Sequence, residues 1–332
     1  MTNIARQRKV QIGDQAAGWG TIAAPTVQLS GIDPESISIP HSMVTELVAA
    51  ARGLIGPGRD DIEIAHRVEG VGLGGHVIYE QIPFFLSFLD EVTPAGAGPT
   101  TYTFTAPTTA QVVPHPQTLV MGVGDLVFGV CAACASEMTF EWDAGQALTF
   151  SMGIMGRNVE PDAFAALSET AAADLTYALA SHCTVYIDAI DGTLGATSFD
   201  ECLSGSITVS CNRQYNEPVG SLYPSGVYDS PSWDFTGTLV LEETATSAGY
   251  ADAIAAGAEA RLLRIDFDDG GAGADNRALQ FNLAAKINVT DMMTDDNGMS
   301  TVELAFSSIE EWGGEIDGIG NIVATNDDAA LY

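Results

Sequence analysis

The sequence predicts a mainly β protein built as two tandem antiparallel β units, each with one short flanking helix. Three observations carry that reading. Stretch after stretch alternates polar and apolar residues with period two, the pattern of a sheet with one wet and one buried face. Glycine is abundant, 35 in 332 residues, and marks turns and bulges. The same order of strands, helix and closing hairpin occurs twice along the chain.

Taken in order, Met1 to Gln11 is polar and basic and lacks the apolar centre of a secretory signal. Ser36-Ile37-Ser38-Ile39 alternates, and so do Asp61-Ile62-Glu63-Ile64 and Thr101-Tyr102-Thr103-Phe104-Thr105. Ser42 to Leu54 reads as a helix or as part of a long loop. Gln81 to Val92 reads as a helix, because Ile82, Phe84, Phe85, Leu86, Phe88 and Leu89 follow closely and Pro83 suits a first turn. Asp143-Ala144-Gly145 joins Met138–Glu141 to Leu148–Met152 as a hairpin. Arg157 to Ala180, rich in Ala, Asp and Glu, connects the halves as a helix or an extended strap. Strands follow at Cys183–Ile187, Ser206–Val209 and Leu239–Leu241, then a helix over Thr246–Ala260 capped by Thr246 or Ser247. Leu262–Phe267 is a strand, and Asp296-Asn297-Gly298 turns Ile287–Val289 into Val302–Phe306.

Elements of the two halves match in pattern. Ser36–Ile39 resembles Ser206–Val209, Gly75–Glu80 resembles Gly237–Glu242, Thr101–Thr105 takes the place of Leu262–Phe267, and the two hairpins close each half. The offsets are 170, 162 and 153 residues (206 against 36, 237 against 75, 296 against 143), as shorter loops in a second copy would give.

Composition narrows the function. The mass is 34.7 kDa, hydrophobic residues make 46% and the mean hydropathy is +0.15, values of a folded chain. No apolar run approaches the roughly 18 residues of a membrane helix, so the expectation is a soluble protein of the cytosol or of an assembly made there. There are 44 acidic and 12 basic residues, a net charge of −32. Affinity for phosphates comes from Lys and Arg displacing counterions, so such a chain should hold neither nucleic acid nor anionic membranes. The bland reading of the charge is solubility or adaptation to salt. Arg6, Arg8 and Lys9 cluster in the N-terminal arm, poised to pair with an acidic neighbour.

No constellation for chemistry emerges. Five cysteines give no complete disulfide set, and the Cys131/Cys134 pair sits among small residues that read as buried strand. His182 and Cys183 are strand neighbours facing opposite ways. His41, His66, His76, His115 and His182 are scattered, as are Trp19, Trp142, Trp233 and Trp312. Gly70-x-Gly72-x-x-Gly75 matches a dinucleotide fingerprint on paper, but the strand before it alternates and a strand, not a helix, follows. Asp266-Phe267-Asp268-Asp269-Gly270-Gly271 hints at a calcium loop, yet the fifth residue is Gly270 and the twelfth Arg277, so a solvated hairpin loop fits better. The expectation is no enzyme, no cofactor and no metal.

The stretch Gly18-Trp19-Gly20-Thr21-Ile22-Ala23-Ala24-Pro25-Thr26-Val27, the strand Ser36–Ile39, the loop ending in Gly56-Pro57-Gly58-Arg59 and the Gly75–Glu80 strand with its helix resemble the tail tube (major tail) protein of long-tailed bacteriophages. The second half, from Ser206 through the Gly237 strand, is similar to the second half of the two-copy version of that family. The resemblance covers nearly the whole chain. It implies two tandem tail-tube-like antiparallel β-sandwich domains, each with a short flanking helix. The first repeat with its N-terminal arm spans 1–160, the connector 161–180, and the second repeat with its C-terminal arm 181–332. It further implies a structural virion protein whose rings stack into a hollow tube conducting DNA to the host, assembled in the host cytoplasm. Three chains would form a ring with pseudo-six-fold symmetry; single-copy relatives use six. Tail terminator and tail-tip proteins would be partners, with DNA passing through unbound. The alternative is another ring- or lattice-forming virion protein: a tail terminator, a baseplate ring or a surface-array subunit.

An acidic wall suits a conduit for DNA. Joined sheet edges turn an aggregation liability into assembly. The loops Pro40–Asp60 and Asn212–Ser232 are long enough to be functional. Within them Leu54, Ile55, Arg59, Tyr215, Leu222, Tyr223, Val227 and Tyr228 are the expected contacts between subunits or rings. The plainer alternative is that the apolar ones cover their own domain.

Overall fold

The computed structural model describes residues 8–15, 19, 22–39, 42–47, 61–90, 94–95, 99–108, 114–168, 175–199, 201–229, 233–255, 257, 260–271, 275–296, 299–310, 316 and 318–326. The first half runs β1 (Lys9–Asp14), β2 (Val27–Leu29), β3 (Ser42–Leu47), β4 (Asp61–His76), α1 (Ile82–Leu86), β5 (Thr100–Thr105), β6 (Gln117–Val123), β7 (Leu126–Asp143), β8 (Thr149–Gly156) and β9 (Asn158–Pro161). The second runs β10 (Cys183–Ala189), β11 (Ser198–Phe199), β12 (Cys202–Ser210), β13 (Arg213–Asn216), β14 (Gly226–Asp229), β15 (Asp234–Glu242), α2 (Ala245–Ala255), β16 (Ala260–Asp268), β17 (Ala278–Asp296), β18 (Met299–Ser308) and β19 (Gly320–Asn326). The chain is mainly β, and among the described residues every strand pairing is antiparallel.

One pairing scheme occurs in both halves. In the first, β4 pairs β8, β8 pairs the C-terminal part of β7, and β6 and β9 flank its N-terminal part. β6 pairs β1, and β1 pairs β2. In the second, β15 pairs β18, β18 pairs the C-terminal part of β17, and β16 and β19 flank its N-terminal part. β16 pairs β10, and β10 pairs β11. The long strands β7 and β17 thus pass from one sheet into the other, tying the layers of a sandwich. The turn Asp143-Ala144-Gly145 follows β7 as expected, while Asn297 and Gly298 lie outside the described residues.

Several local expectations change. Thr101–Thr105 is not the counterpart of Leu262–Phe267: β6 holds that place, and β5 pairs with β19 of the other half. Ser42–Leu47 is a strand on β4, because the β-branched pair Val44-Thr45 suits a ladder better than a helix turn. Helix α1 is shorter than its apolar run and wholly buried, which frees it from amphipathic spacing. Helix α2 is capped by Thr244, two or three residues earlier than expected: Thr244 Oγ1 accepts the Ser247 N–H at 3.2 Å while Ser247 Oγ accepts the Thr244 N–H at 2.8 Å. The connector is an extended strap where described, bridging Tyr177 to Ile78 and Leu179 to Ala147.

The glycines of the 70–75 motif serve close packing. Gly70 has φ +72° at the bulge between Val68 and Val71. A Cβ on Gly75 would stand 2.2 Å from the carbonyl oxygen of Gly31, so only glycine lets the 31–38 segment lie on β4.

The halves share one core. The inner faces place Phe140 against Phe281 with centroids 5.0 Å apart, and Trp142 against Phe267 at 5.4 Å. Phe104, Phe140, Phe235, Phe267 and Phe281 are fully buried, each worth roughly 1.5–3 kcal/mol in transfer from water.

A polar sheet face and the candidate contact residues

β12 pairs with β7 from Ser204↔Asp143 to Ser210↔Glu137, so the sheets of the two halves fuse. The result is a curtain of strands in the order β4–β8–β7–β12–β15–β18–β17. Residues directly opposite in a ladder share a face. One rung therefore reads Gly74, Ser151, Thr139, Thr208, Thr236, Ser307 and Lys286. The next reads His76, Thr149, Glu141, Ser206, Thr238, Ala305 and Asn288. Asp143, Ser204, Val240, Glu303 and Asp291 make a third across β7 to β17.

This face is paved with small hydroxyls and carboxylates. Thr139 and Thr208 hydroxyls meet at 2.9 Å and those of Ser206 and Thr238 at 3.1 Å, so the hydroxyls bond one another across strands. Glu137, Glu141, Asp143, Ser151 and Thr236 are exposed. In those rungs the one lysine is Lys286, on the outermost strand. The alternate residues, among them Met138, Phe140, Phe150, Met152, Ile207, Val209 and Leu304, are buried in the core. Period-two alternation thus produced a wall with an oily back and an anionic front.

The predicted contact residues fall in different places. Leu54, Ile55, Arg59 and Arg6 lie outside the described residues. Arg8 donates from Nη1 to the carbonyl oxygens of Pro34 at 2.5 Å and Ile37 at 3.2 Å. Lys9 is exposed on β1, opposite Gly122. The 212–229 segment is a β13–β14 hairpin whose residues divide by side. The Tyr215 hydroxyl turns inward and donates to the carbonyls of Val68 and Gly156, and Val227 is buried. Tyr223 packs under the Arg157 guanidinium, 5.2 Å from its ring centroid. Tyr228 donates to Gln214 Oε1 at 3.3 Å. Leu222 stays exposed at the tip, beside Val219.

Sequence reasoning passed over Arg213, which fastens this hairpin. Its side chain is fully buried, pairs with Asp229 at 2.8 Å, and donates to the carbonyls of Phe88 and Ala135 at 2.7 Å each and of Leu89. It thereby supplies donors at the end of the turn after α1, where the Phe88 carbonyl also accepts the Ala135 N–H at 2.8 Å. Asp229 also accepts the indole N–H of Trp233 at 2.9 Å. An arginine two residues after Cys211, in an otherwise nearly cation-free stretch, was the available signal.

The aspartates of the 266–271 loop are occupied within the fold. Asp268 Oδ1 accepts the Gly270 N–H at 2.8 Å, Asp269 Oδ1 accepts the Gly271 N–H at 2.9 Å, and Arg277 forms an ion pair with Glu80 at 2.7 Å beside Asp269. The Cys131 and Cys134 thiols are buried, and burial pushes Cys134 up to about 11, away from the reactive thiolate.

No curated protein matches the chain. A family model described as phage tail tube protein matches residues 5–308. That span takes in both halves, the polar wall and the hairpin held by Arg213, and the chain belongs to the phage tail tube protein family, structural proteins of the virion tail.

Proposed function

We propose that this chain is the repeating subunit of a hollow tail tube and that the hydroxyl-and-carboxylate sheet face lines its lumen. The observation that carries this is the wall itself, seven strands wide, with one lysine in the rungs traced above and its hydroxyls paired with one another. Phosphate binding needs Lys or Arg to release counterions, so DNA slides past such a surface without being held. The chain would be two tail-tube copies, 1–160 and 181–332, joined by 161–180. The repeated pairing scheme supports that division. Three chains would then close a ring of pseudo-six-fold symmetry, and rings would stack, with terminator and tip proteins closing the tube. Assembly takes place in the host cytoplasm, and no catalytic step is assigned to any residue.

The test is negative-stain electron microscopy of the purified chain at rising concentration, with mass by light scattering and seeding by a tail-tip complex. Hollow tubes whose smallest ring is a trimer support the proposal. Rings of six chains keep the tube and sink the two-copy division. Single rings or flat lattices favour a terminator, baseplate or array subunit. Lumen assignment has its own test, the triple substitution Ser151→Lys, Thr208→Lys, Thr236→Lys. Tubes of this variant should retain duplex DNA at 50 mM salt and release it at about 200 mM, where tubes of the parent retain none. Equal retention would remove this face from the lumen.

A further inference from the structure

The junction inside the chain is half of a repeating joint. β12 lies on the edge of β7 opposite β8, along Glu137–Asp143. The matching edge in the other half is that of β17 opposite β18. β16 covers this edge only as far as Lys286, which pairs with Ala260. From Ile287 to Asp296 no strand among the described residues pairs with it, although β18 holds the other side to Asp296↔Met299. An extended edge of this length is a template for another strand.

The counterpart of β12 in the first half is the segment 36–39. It lies on β4 through the reciprocal backbone bonds of Ser38 and Gly72, 3.2 and 3.0 Å, as β12 lies on β15. Successive peptide groups of a strand point to opposite sides, so those of Ile37 and Ile39 point away from β4. There they border an apolar groove of about 300 Å³ between Ile37, Ile39, Val123, Leu126, Phe128 and Val159. Leu126 is 60% exposed at its rim. In the second half the same place, between β12 and β16, is filled by Trp142 of β7, which lies over Gly205 and against Phe267.

We propose that the partner of both surfaces is a second copy of this chain. The β17 edge of one copy, Ile287–Asp296, adds antiparallel to Ser36–Ile39 of the next and covers the first-half groove, the counterpart of the place that Trp142 fills in the second half. The incoming strand carries adjacent methionines at 292 and 293 in the sequence, so either face it turns to the slot offers one unbranched apolar residue. The Arg8 guanidinium, which occupies the Ile37 carbonyl in the isolated chain, leaves as the strand arrives. This inference rests on the tube reading and names its ring-closing contact.

Hydrogen–deuterium exchange of monomer and assembled tube tests it. Amides of 205–209 should be protected in both. Amides of Ile37 and Ile39, and those of 287–296 not bonded to β18, should slow at least about tenfold on assembly alone, while that of Ser38, bonded to Gly72 in the single chain, should be protected in both. Tubes in which these amides exchange as in the monomer overturn the inference and leave the tube intact. Failure to form any tube or ring, even when seeded, overturns the tube reading and this contact with it. Leu126→Asp provides a second arm. Its unfolding transition should match the parent, because Leu126 is exposed, while the concentration needed for assembly rises at least about tenfold. Unchanged assembly would remove the groove from the contact.

Discussion

Replacing Arg213 by alanine should destabilise this protein more than any surface change. The guanidinium has no exposure, pairs with a carboxylate that is itself 2% exposed, and serves three backbone carbonyls. Removing one partner of a buried ion pair costs about 3–5 kcal/mol, because the remaining charge stays buried and unpaired. The carbonyls of Leu89 and Ala135 lose this donor and add about 1–3 kcal/mol each before water enters, while that of Phe88 keeps the Ala135 N–H. Water entering the vacated channel recovers part of that, so the net loss should be about 4–6 kcal/mol, a large share of the roughly 5–15 kcal/mol that hold a typical protein folded. The assay is urea unfolding followed by tryptophan fluorescence, since Trp233 reports on the site through its bond to Asp229. A double-mutant cycle with Asp229→Ala should return a coupling of about 3 kcal/mol. Thiol chemistry gives an independent readout. Burial holds Cys211 up at about 12 and Cys134 at about 11, so both are inert in the parent and should react with a disulfide reagent in the variant. A loss below about 1 kcal/mol with both thiols still inert would refute the claim that Arg213 fastens the two halves.

Other outcomes follow from single sites. Burial, and then the neighbouring Asp268, push Asp266 up to about 6 against the pull of Gln280 and Arg264. The folded state therefore binds the proton more tightly than the unfolded one, and stability falls as pH rises from about 4 through 6. Asp266→Asn should add on the order of 1 kcal/mol at pH 7, discounted for the group's partial exposure, and nothing near pH 4; a thermal-melting series against pH checks it, and an equal gain at both pH values would contradict it. Gly205→Ala drives a methyl to 2.4 Å from Trp142 and 2.8 Å from the Thr238 carbonyl, so the melting transition should lose about 1–3 kcal/mol; an unchanged transition would show that the indole has room to move.

The sequence by itself determined the class of structure and the family, because both rest on local properties. Alternation in Thr101–Thr105, Ser206–Val209 and Val302–Phe306 is visible residue by residue, and each became a strand with the predicted apolar residues inside. The Asp143-Ala144-Gly145 turn was equally local. What decides partners is not local. Thr101–Thr105 looks like any half-buried strand, and nothing in it says that β19, more than 200 residues away, is its neighbour. Tyr215 and Val227 looked like contact residues because their surroundings are rich in Gly and Pro, yet the hairpin turns them onto their own chain. Arg213 drew no notice in the sequence, and only packing brings it to the carbonyls after α1. The anionic wall likewise needed the tertiary structure. Glu141, Ser206 and Thr238 come from separated stretches, and they form one surface because antiparallel register puts directly opposed side chains on the same side of a sheet.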